Sequence, residues 1–156
     1  DRHGYQLHAS PNHPKSRGHI TLNSSYPYEY PKILFNYLHD EEDLKQTREC
    51  IHVARKILSQ PALAEHAGKE VGPGTGAQSD DELNEYIRSK ADTAYHPCGT
   101  CKMGVDNMAV VDENLKVKGI QNLRVIDASV IPEIPSANLN APTLMIAEKG
   151  ADAILN

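Results

Sequence analysis

Leu123-Arg124-Val125-Ile126-Asp127-Ala128-Ser129-Val130-Ile131-Pro132 is an apolar, β-branched run interrupted by one acid and closed by a proline. The part up to Asp127 reads as a short strand buried on both faces. Pro132–Pro142 follows as a Pro- and Asn-rich loop. Thr143–Leu155 then reads as a helix with Leu144, Ile146, Ala147, Ala151, Ile154 and Leu155 on its apolar side, and Pro142 suits its first turn. Strand, loop and helix in this order put a ligand site at the carboxyl end of the strand. The helix N-terminus there favours anionic or electron-rich groups.

Working outward, Ala109–Asp112 reads as a second short strand and Ala94–Gly104 as a Pro- and Gly-containing turn region. Ser79 followed by Glu82 forms a capping box, and the helix it opens buries Leu83, Tyr86, Ile87 and Ala91. Gly68–Gly76 carries four glycines and Pro73 and is a loop. Asp40 caps an earlier helix, from about residue 41 to 59, with Leu44, Ile51, Ala54, Ile57 and Leu58 at helical spacing and Pro61 as its stop. His19–Asn23 alternates as a strand, residues 24–27 turn, and Pro31–Leu38 is extended. Residues 1–17 are irregular around Pro11, Pro14 and a basic knot at Lys15–Gly18. There are no internal repeats.

The 156 residues carry 16 basic and 21 acidic side chains, a net −5, which argues against the basic stripe of a nucleic-acid binder. No apolar run approaches the length of a membrane-spanning helix. With seven Tyr, one Phe and no Trp, the core must be aliphatic. The chain begins at Asp1 and lacks a basic-then-apolar leader pattern, so a processed chain or a piece of a longer one is expected.

Four groups of residues can carry chemistry. His96 is held by Pro97 in a tight turn; it either accepts a proton, as imidazole does near neutral pH, or simply fills the turn. Asp127 ends the buried strand, where an acid accepts a sugar hydroxyl in a nucleotide-binding fold or caps a turn. Asn138 and Asn140 precede a helix, to donate to a ligand oxygen or to make Asx turns. Cys98 and Cys101 have CxxC spacing, which admits redox chemistry, half a zinc site or reduced thiols in a turn. Even with His96, a zinc site is one ligand short, so no metal is expected. An odd count of three cysteines speaks against a disulfide framework and for a reducing compartment.

Taken together, these segments resemble the carboxy-terminal signature of the glucose–methanol–choline flavoprotein oxidoreductases. The matching residues are His96-Pro97-x-Gly99-Thr100-x-x-Met103-Gly104, Asp127-Ala128-Ser129, Asn138-x-Asn140-Ala141-Pro142-Thr143 and Glu148-Lys149-x-Ala151-Asp152. His13–Gly18, Asn36-Tyr37-Leu38 and Tyr95–Gly104 resemble the choline-oxidising branch in particular, so the likeness runs from about residue 13 to 155.

The resemblance implies an α+β fragment: the tail of an antiparallel-sheet substrate domain with helices (1–105), then the closing strand and helix of a Rossmann-like FAD-binding domain (106–156). It implies oxidation of choline to betaine aldehyde by hydride transfer to flavin. His96 is then the active-site base and Asn138 its partner on the same oxygen. Asp127 and Ala128 contact the pyrophosphate–ribityl part of FAD. Asn138, Leu139, Asn140 and the last helix's start lie by the flavin ring. A quaternary ammonium needs an aromatic or anionic cage, and Tyr95 is the one wall this chain offers beside His96. The family's G-x-G-x-x-G fingerprint is absent, and Gly72-Pro73-Gly74-Thr75-Gly76 follows no strand. The chain is therefore expected to be a carboxy-terminal piece that binds FAD poorly alone and exposes strand edges and apolar faces. The resemblance also allows peripheral membrane association of the whole enzyme, cytoplasmic or, in a eukaryote, mitochondrial; the electron acceptor is left open. The alternatives are a family member acting on another primary alcohol, an inactive truncated chain, and a metal or redox CxxC module.

Overall fold

The computed structural model describes residues 3–155, which divide into two compact units. One holds the chain up to Gly18 with Leu34–Asp92; the other holds His19–Ile33 with the chain from Thr93 onward. The architecture is α+β, with a two-stranded antiparallel sheet and three α-helices among the described residues.

The first unit is organised by helices α1 (Glu41–Leu58) and α2 (Asp80–Lys90), which pack on each other. Asp40 caps α1 by accepting from Glu42 N at 2.9 Å. Ser79 and Glu82 make the expected reciprocal capping box on α2. The three bonds from Ser79 and Gln78 pull the Glu82 carboxyl down to about 2. Leu83 and Ile87 are the buried face of α2, while Tyr86 is half-buried and Ala91 exposed. On α1 only Leu44 among the expected apolar positions is fully buried, and Ile57 is exposed.

Charged side chains do the remaining joining. Arg48 reaches from α1 to Asn84 Oδ1 at 2.7 Å and Asp80 Oδ2 at 3.2 Å. Arg55 donates to Glu70 and to the carbonyls of Gly74 and Ala77, and so fastens the glycine-rich loop to α1. A short 3₁₀ helix at Pro61–His66 precedes that loop.

Asp43, in the first turn of α1, is the one buried charged side chain among the described residues. Its two oxygens each accept a backbone N–H at 2.7 Å, from Lys15 and Ser16. Desolvation works to raise its carboxyl. The bonds from the Ser16 side chain and from both backbone amides, with the Arg17 charge, outweigh it and leave the group below the usual carboxylate range.

Strands β1 (His19–Thr21) and β2 (Lys32–Leu34) pair with each other and are exposed throughout; all of their residues but Leu34 belong to the second unit. The core of the second unit lies elsewhere, in Val111, Leu115 and Val130, with Met103, Val110, Val117, Val125, Ile126 and Ile146 packed around them.

The two strands expected here do not form. Ala109–Asp112 and Leu123–Asp127 appear only as single bridges, Val111 to Met103 and Val117, and Arg124 to Lys116. The cause is local. Leu115, Gly119 and Asn122 take left-handed backbone (φ 63, 80 and 59°), so the chain reverses every few residues and no ladder extends. Asp112 stabilises one reversal by accepting from Asn114 N and Lys116 N, both at 2.9 Å. Nor is the second segment buried on both faces, since Leu123 is exposed and Val125 and Ile126 are half-buried.

Helix α3 (Asn140–Leu155) forms as expected but presents a different face. Leu144, Ala147, Ala151, Ile154 and Leu155 are exposed. Of the expected face only Ile146 packs on the core, and it shares one row at helical spacing with Gly150 and Ala153. Arg124 Nη2 donates to Ala153 O at 2.7 Å and satisfies a carbonyl of the last turn. Gly150 is buried because Ile126 lies over it: an added Cβ would stand 2.5 Å from Ile126 Cγ2. The exposed tyrosines, leucines and isoleucines include Leu22, Tyr28, Tyr30 and Leu155, in keeping with the expected uncovered apolar surface. No helix among the described residues is long and apolar enough to cross a membrane.

Two stability predictions follow from these contacts. Asp43→Asn should cost about 2 kcal/mol at neutral pH, because two amides lose a charged acceptor. Asp43 contributes above the unfolded carboxylate pKa, and that contribution fades as pH falls through the lower folded value. Acid titration of unfolding, wild type against variant, should show the gap closing in that window. Gly150→Ala should cost about 1–3 kcal/mol by overpacking. Thermal unfolding of the double variant with Ile126→Ala should show a compensating, non-additive recovery.

Candidate active site

The site is built on backbone pairing between two stretches that the sequence separates by some thirty residues. Gly99 takes φ 88°, and a side chain there would meet the carbonyl oxygen of Ile131 at 3.5 Å. Cys101 N donates to Ser129 O at 3.0 Å, and Met103 N to Val130 O at 2.8 Å. Residues 99–103 therefore lie along residues 129–132. Val130, wholly buried in the core, holds the second stretch down.

This pairing brings His96 and Asn138 together. His96 is half-buried, Asn138 is exposed, and Nε2 lies 3.2 Å from Asn138 Oδ1. With a proton on Nε2 the ring donates to the amide oxygen. With the proton on Nδ1, a half-turn of the amide presents Nδ2–H to the Nε2 lone pair. Only the second arrangement leaves the Nε2 lone pair open to a hydroxyl proton, with Nδ2–H of the amide able to donate to the same hydroxyl's oxygen.

The other expected site residues fall around this pair. Asn140 opens α3, and Asn138 stands two residues before it. Leu139 between them is buried, and its carbonyl already accepts from Thr143 N and Oγ1, at 2.9 and 2.7 Å. Leu139 thus anchors the corner, and its side chain faces the protein interior. Asp127 caps a 3₁₀ turn at Ala128–Val130 by accepting from Ser129 N at 2.8 Å and from the Ser129 hydroxyl, both on Oδ1. Its other oxygen has no protein partner among the described residues.

Tyr95, beside His96, is exposed, takes φ 59°, and donates its N–H to Thr93 Oγ1 at 3.0 Å. Lys102 pairs with Asp106 at 3.0 Å, which with the amide of Met108 keeps that carboxyl below its ordinary range. No disulfide joins the three cysteines, and among the described residues no cluster of metal-ligating side chains forms.

Sequence reading missed the supports. The Asp-x-Ser spacing at 127–129 is a recognisable turn signature that could have marked the clamp on Ser129. Nothing local marked Cys101 and Met103 as the backbone partners of Ser129 and Val130.

With this geometry in view, the chain can be set beside known proteins. The profile described as GMC oxidoreductase matches residues 14–147, and the chain belongs to that family. It is 52% identical over 152 residues to an oxygen-dependent choline dehydrogenase of Klebsiella pneumoniae, covering 97% of this chain and 27% of that relative. Its structure is similar to that of pyridoxine 4-oxidase from Mesorbium loti, with TM-score 0.85 and 36% identity, covering 90% of this chain and 28% of the other. It is also similar to an FAD-dependent oxidoreductase from Chaetomium thermophilum, with TM-score 0.85 and 30% identity, covering 91% and 25%. The chain thus spans about a quarter of the length of these relatives.

Gly99→Ala should destabilise the protein by about 1–2 kcal/mol, because a left-handed backbone is strained for any residue with a Cβ. Gly76, which has no positive φ and nothing within 4 Å of an added methyl, offers the contrast. Denaturant unfolding of Gly99→Ala should show the loss, and an unchanged midpoint would remove Gly99 from the account of the turn.

Proposed function

We propose that the chain is the carboxy-terminal part of an FAD-dependent alcohol dehydrogenase that oxidises choline to betaine aldehyde. The observation that carries this reading is the approach of His96 Nε2 to Asn138 at 3.2 Å, beside the start of α3. In this proposal residues 1–105 complete a substrate-binding domain, and residues 106–156 return to the FAD-binding domain.

The residues present suit a flavin. Asn138 and Asn140 are exposed amides flanking an anchored corner, and the first amides of α3 lack intrahelical acceptors. Such donors fit the electron-rich edge of a ring, and a helix N-terminus favours negative charge on it. The Asp127 oxygen that has no protein partner among the described residues, and the turn at Ala128, are available to a sugar-alcohol chain. Flavin, when bound, supplies the hydride acceptor.

The chain's own residues handle the proton. His96 Nε2 takes it from the substrate hydroxyl, and Asn138 donates to the oxygen on which negative charge develops. Leu139 and the pairing of residues 99–103 with 129–132 fix both groups before substrate arrives. Tyr95, exposed next to His96, offers a face to the quaternary ammonium. The names of the curated relatives favour choline over another primary alcohol.

In the full-length enzyme, His96→Ala should lower kcat with choline by roughly 10²–10⁴-fold while bound flavin stays at the wild-type ratio. Dye reduction measured beside flavin absorbance checks this. Wild-type turnover in the variant would sink the assignment of the base.

A further inference from the structure

We propose that Ser129 is a positioning residue for His96, acting through the backbone of the turn that carries it; this rests on the reading of His96 as the active-site base. Ser129 touches neither His96 nor Asn138. Its hydroxyl makes one hydrogen bond, to Asp127 Oδ1, and its N–H donates to the same oxygen at 2.8 Å. With Val130 N on Asp127 O at 3.3 Å and Ile131 N on Ala128 O at 3.2 Å, these bonds close the 3₁₀ turn of residues 128–130.

That turn is where the His96 segment is tied. The carbonyl of Ser129 accepts from Cys101 N at 3.0 Å, and the carbonyl of Val130 accepts from Met103 N at 2.8 Å. Gly99 lies against the carbonyls of Ile131 and Pro132. The orientation of the Ser129 peptide thus sets the anchor five residues from His96. Asn138 leaves the same stretch six residues after Pro132. Both members of the pair hang from one support.

Besides these backbone bonds, two side chains hold the support. Val130 is wholly buried and fixes the turn in depth. Ser129 is half-buried at the edge, and its hydroxyl on Asp127 adds to the backbone bonds that resist rotation of the turn. A 3₁₀ turn has poorer hydrogen-bond geometry than an α-helix and leans on such a side-chain cap. Without the hydroxyl the turn keeps its backbone bonds but loses one side-chain restraint, the Ser129 carbonyl holds the Cys101 anchor less firmly, and the 3.2 Å approach of His96 to Asn138 loosens. Displacements of this size in an oriented site lower the chemical step more than binding.

The same geometry revises the part played by Asp127. One carboxylate oxygen is committed to Ser129, so this acid shapes the turn as well as offering its second oxygen outward.

The test uses the full-length enzyme with Ser129→Ala, Ser129→Thr and His96→Ala side by side, and reads kcat and KM for choline per bound flavin. We expect Ser129→Ala to lower kcat about tenfold with KM within about twofold, and Ser129→Thr to restore most of it. Normalising to flavin removes any loss of folded enzyme. If Ser129→Ala keeps wild-type kcat while His96→Ala is inactive, the positioning role is overturned and the base stands. A kcat loss that Thr fails to restore, or that disappears on normalising to flavin, also overturns it. If His96→Ala turns over normally, the reading of the base has failed and the positioning role falls with it.

Discussion

The pairing of residues 99–103 with 129–132 is the constraint on which the second unit depends. It consists of two backbone hydrogen bonds and one close approach at Gly99. Each such bond is worth only about 0.5–1.5 kcal/mol. What makes the pairing firm is its footing. Val130 is buried against Val111 and Leu115, and Met103 and Val110 complete the contact from the paired side. The polar pairing and the apolar core share the same residues, so neither shifts without the other. His96 and Asn138, far apart in sequence, inherit their proximity from this footing.

In the first unit, charge replaces apolar burial as the organiser. Few residues of α1 and α2 are fully buried, and the helices are fastened by Arg48, Arg55 and Asp43. Arg55 donates to the carbonyls of Gly74 and Ala77, the first of which also accepts from Ala77 N at 3.1 Å. Asp43 does the reverse for the irregular amino-terminal segment, accepting the amides of Lys15 and Ser16. Segments with no ladder or helix of their own thus have their backbone groups paired by side chains from α1.

The helices were legible because their signals are local. The caps at Asp40 and Ser79 and the proline stop at Pro61 each act within a few residues. The strands at 109–112 and 123–127 were not, because β-branched composition gives propensity without a partner. The left-handed residues Leu115 and Asn122 turn the chain before a ladder can grow, and neither type announces that conformation as glycine does. The exposed side of α3 misled for a related reason. Its apolar residues surround most of the helix, and the docking row is chosen by Ile126 resting on Gly150. The site was legible as motifs, which named His96, Asn138, Asp127 and Asn140. Their supports were not, because backbone carbonyls carry no sequence signal.

On the proposed reading, reaction and substrate choice separate physically. An imidazole and an amide converging on one oxygen serve any primary alcohol equally, since they see only the hydroxyl. The relatives that share this fold carry names pointing to choline and to pyridoxine. On that reading the His96–Asn138 pair acts on the hydroxyl alone, and discrimination among alcohols comes from walls that meet the rest of the substrate. Among the described residues, Tyr95 is the aromatic wall beside His96. The same separation bears on rate. Hydrogen bonds and charge stabilise a developing alkoxide far more strongly where water is excluded. Asn138 and Tyr95 are exposed here, so these residues fix the geometry, and the cover that gives it strength must come from elsewhere in the proposed enzyme.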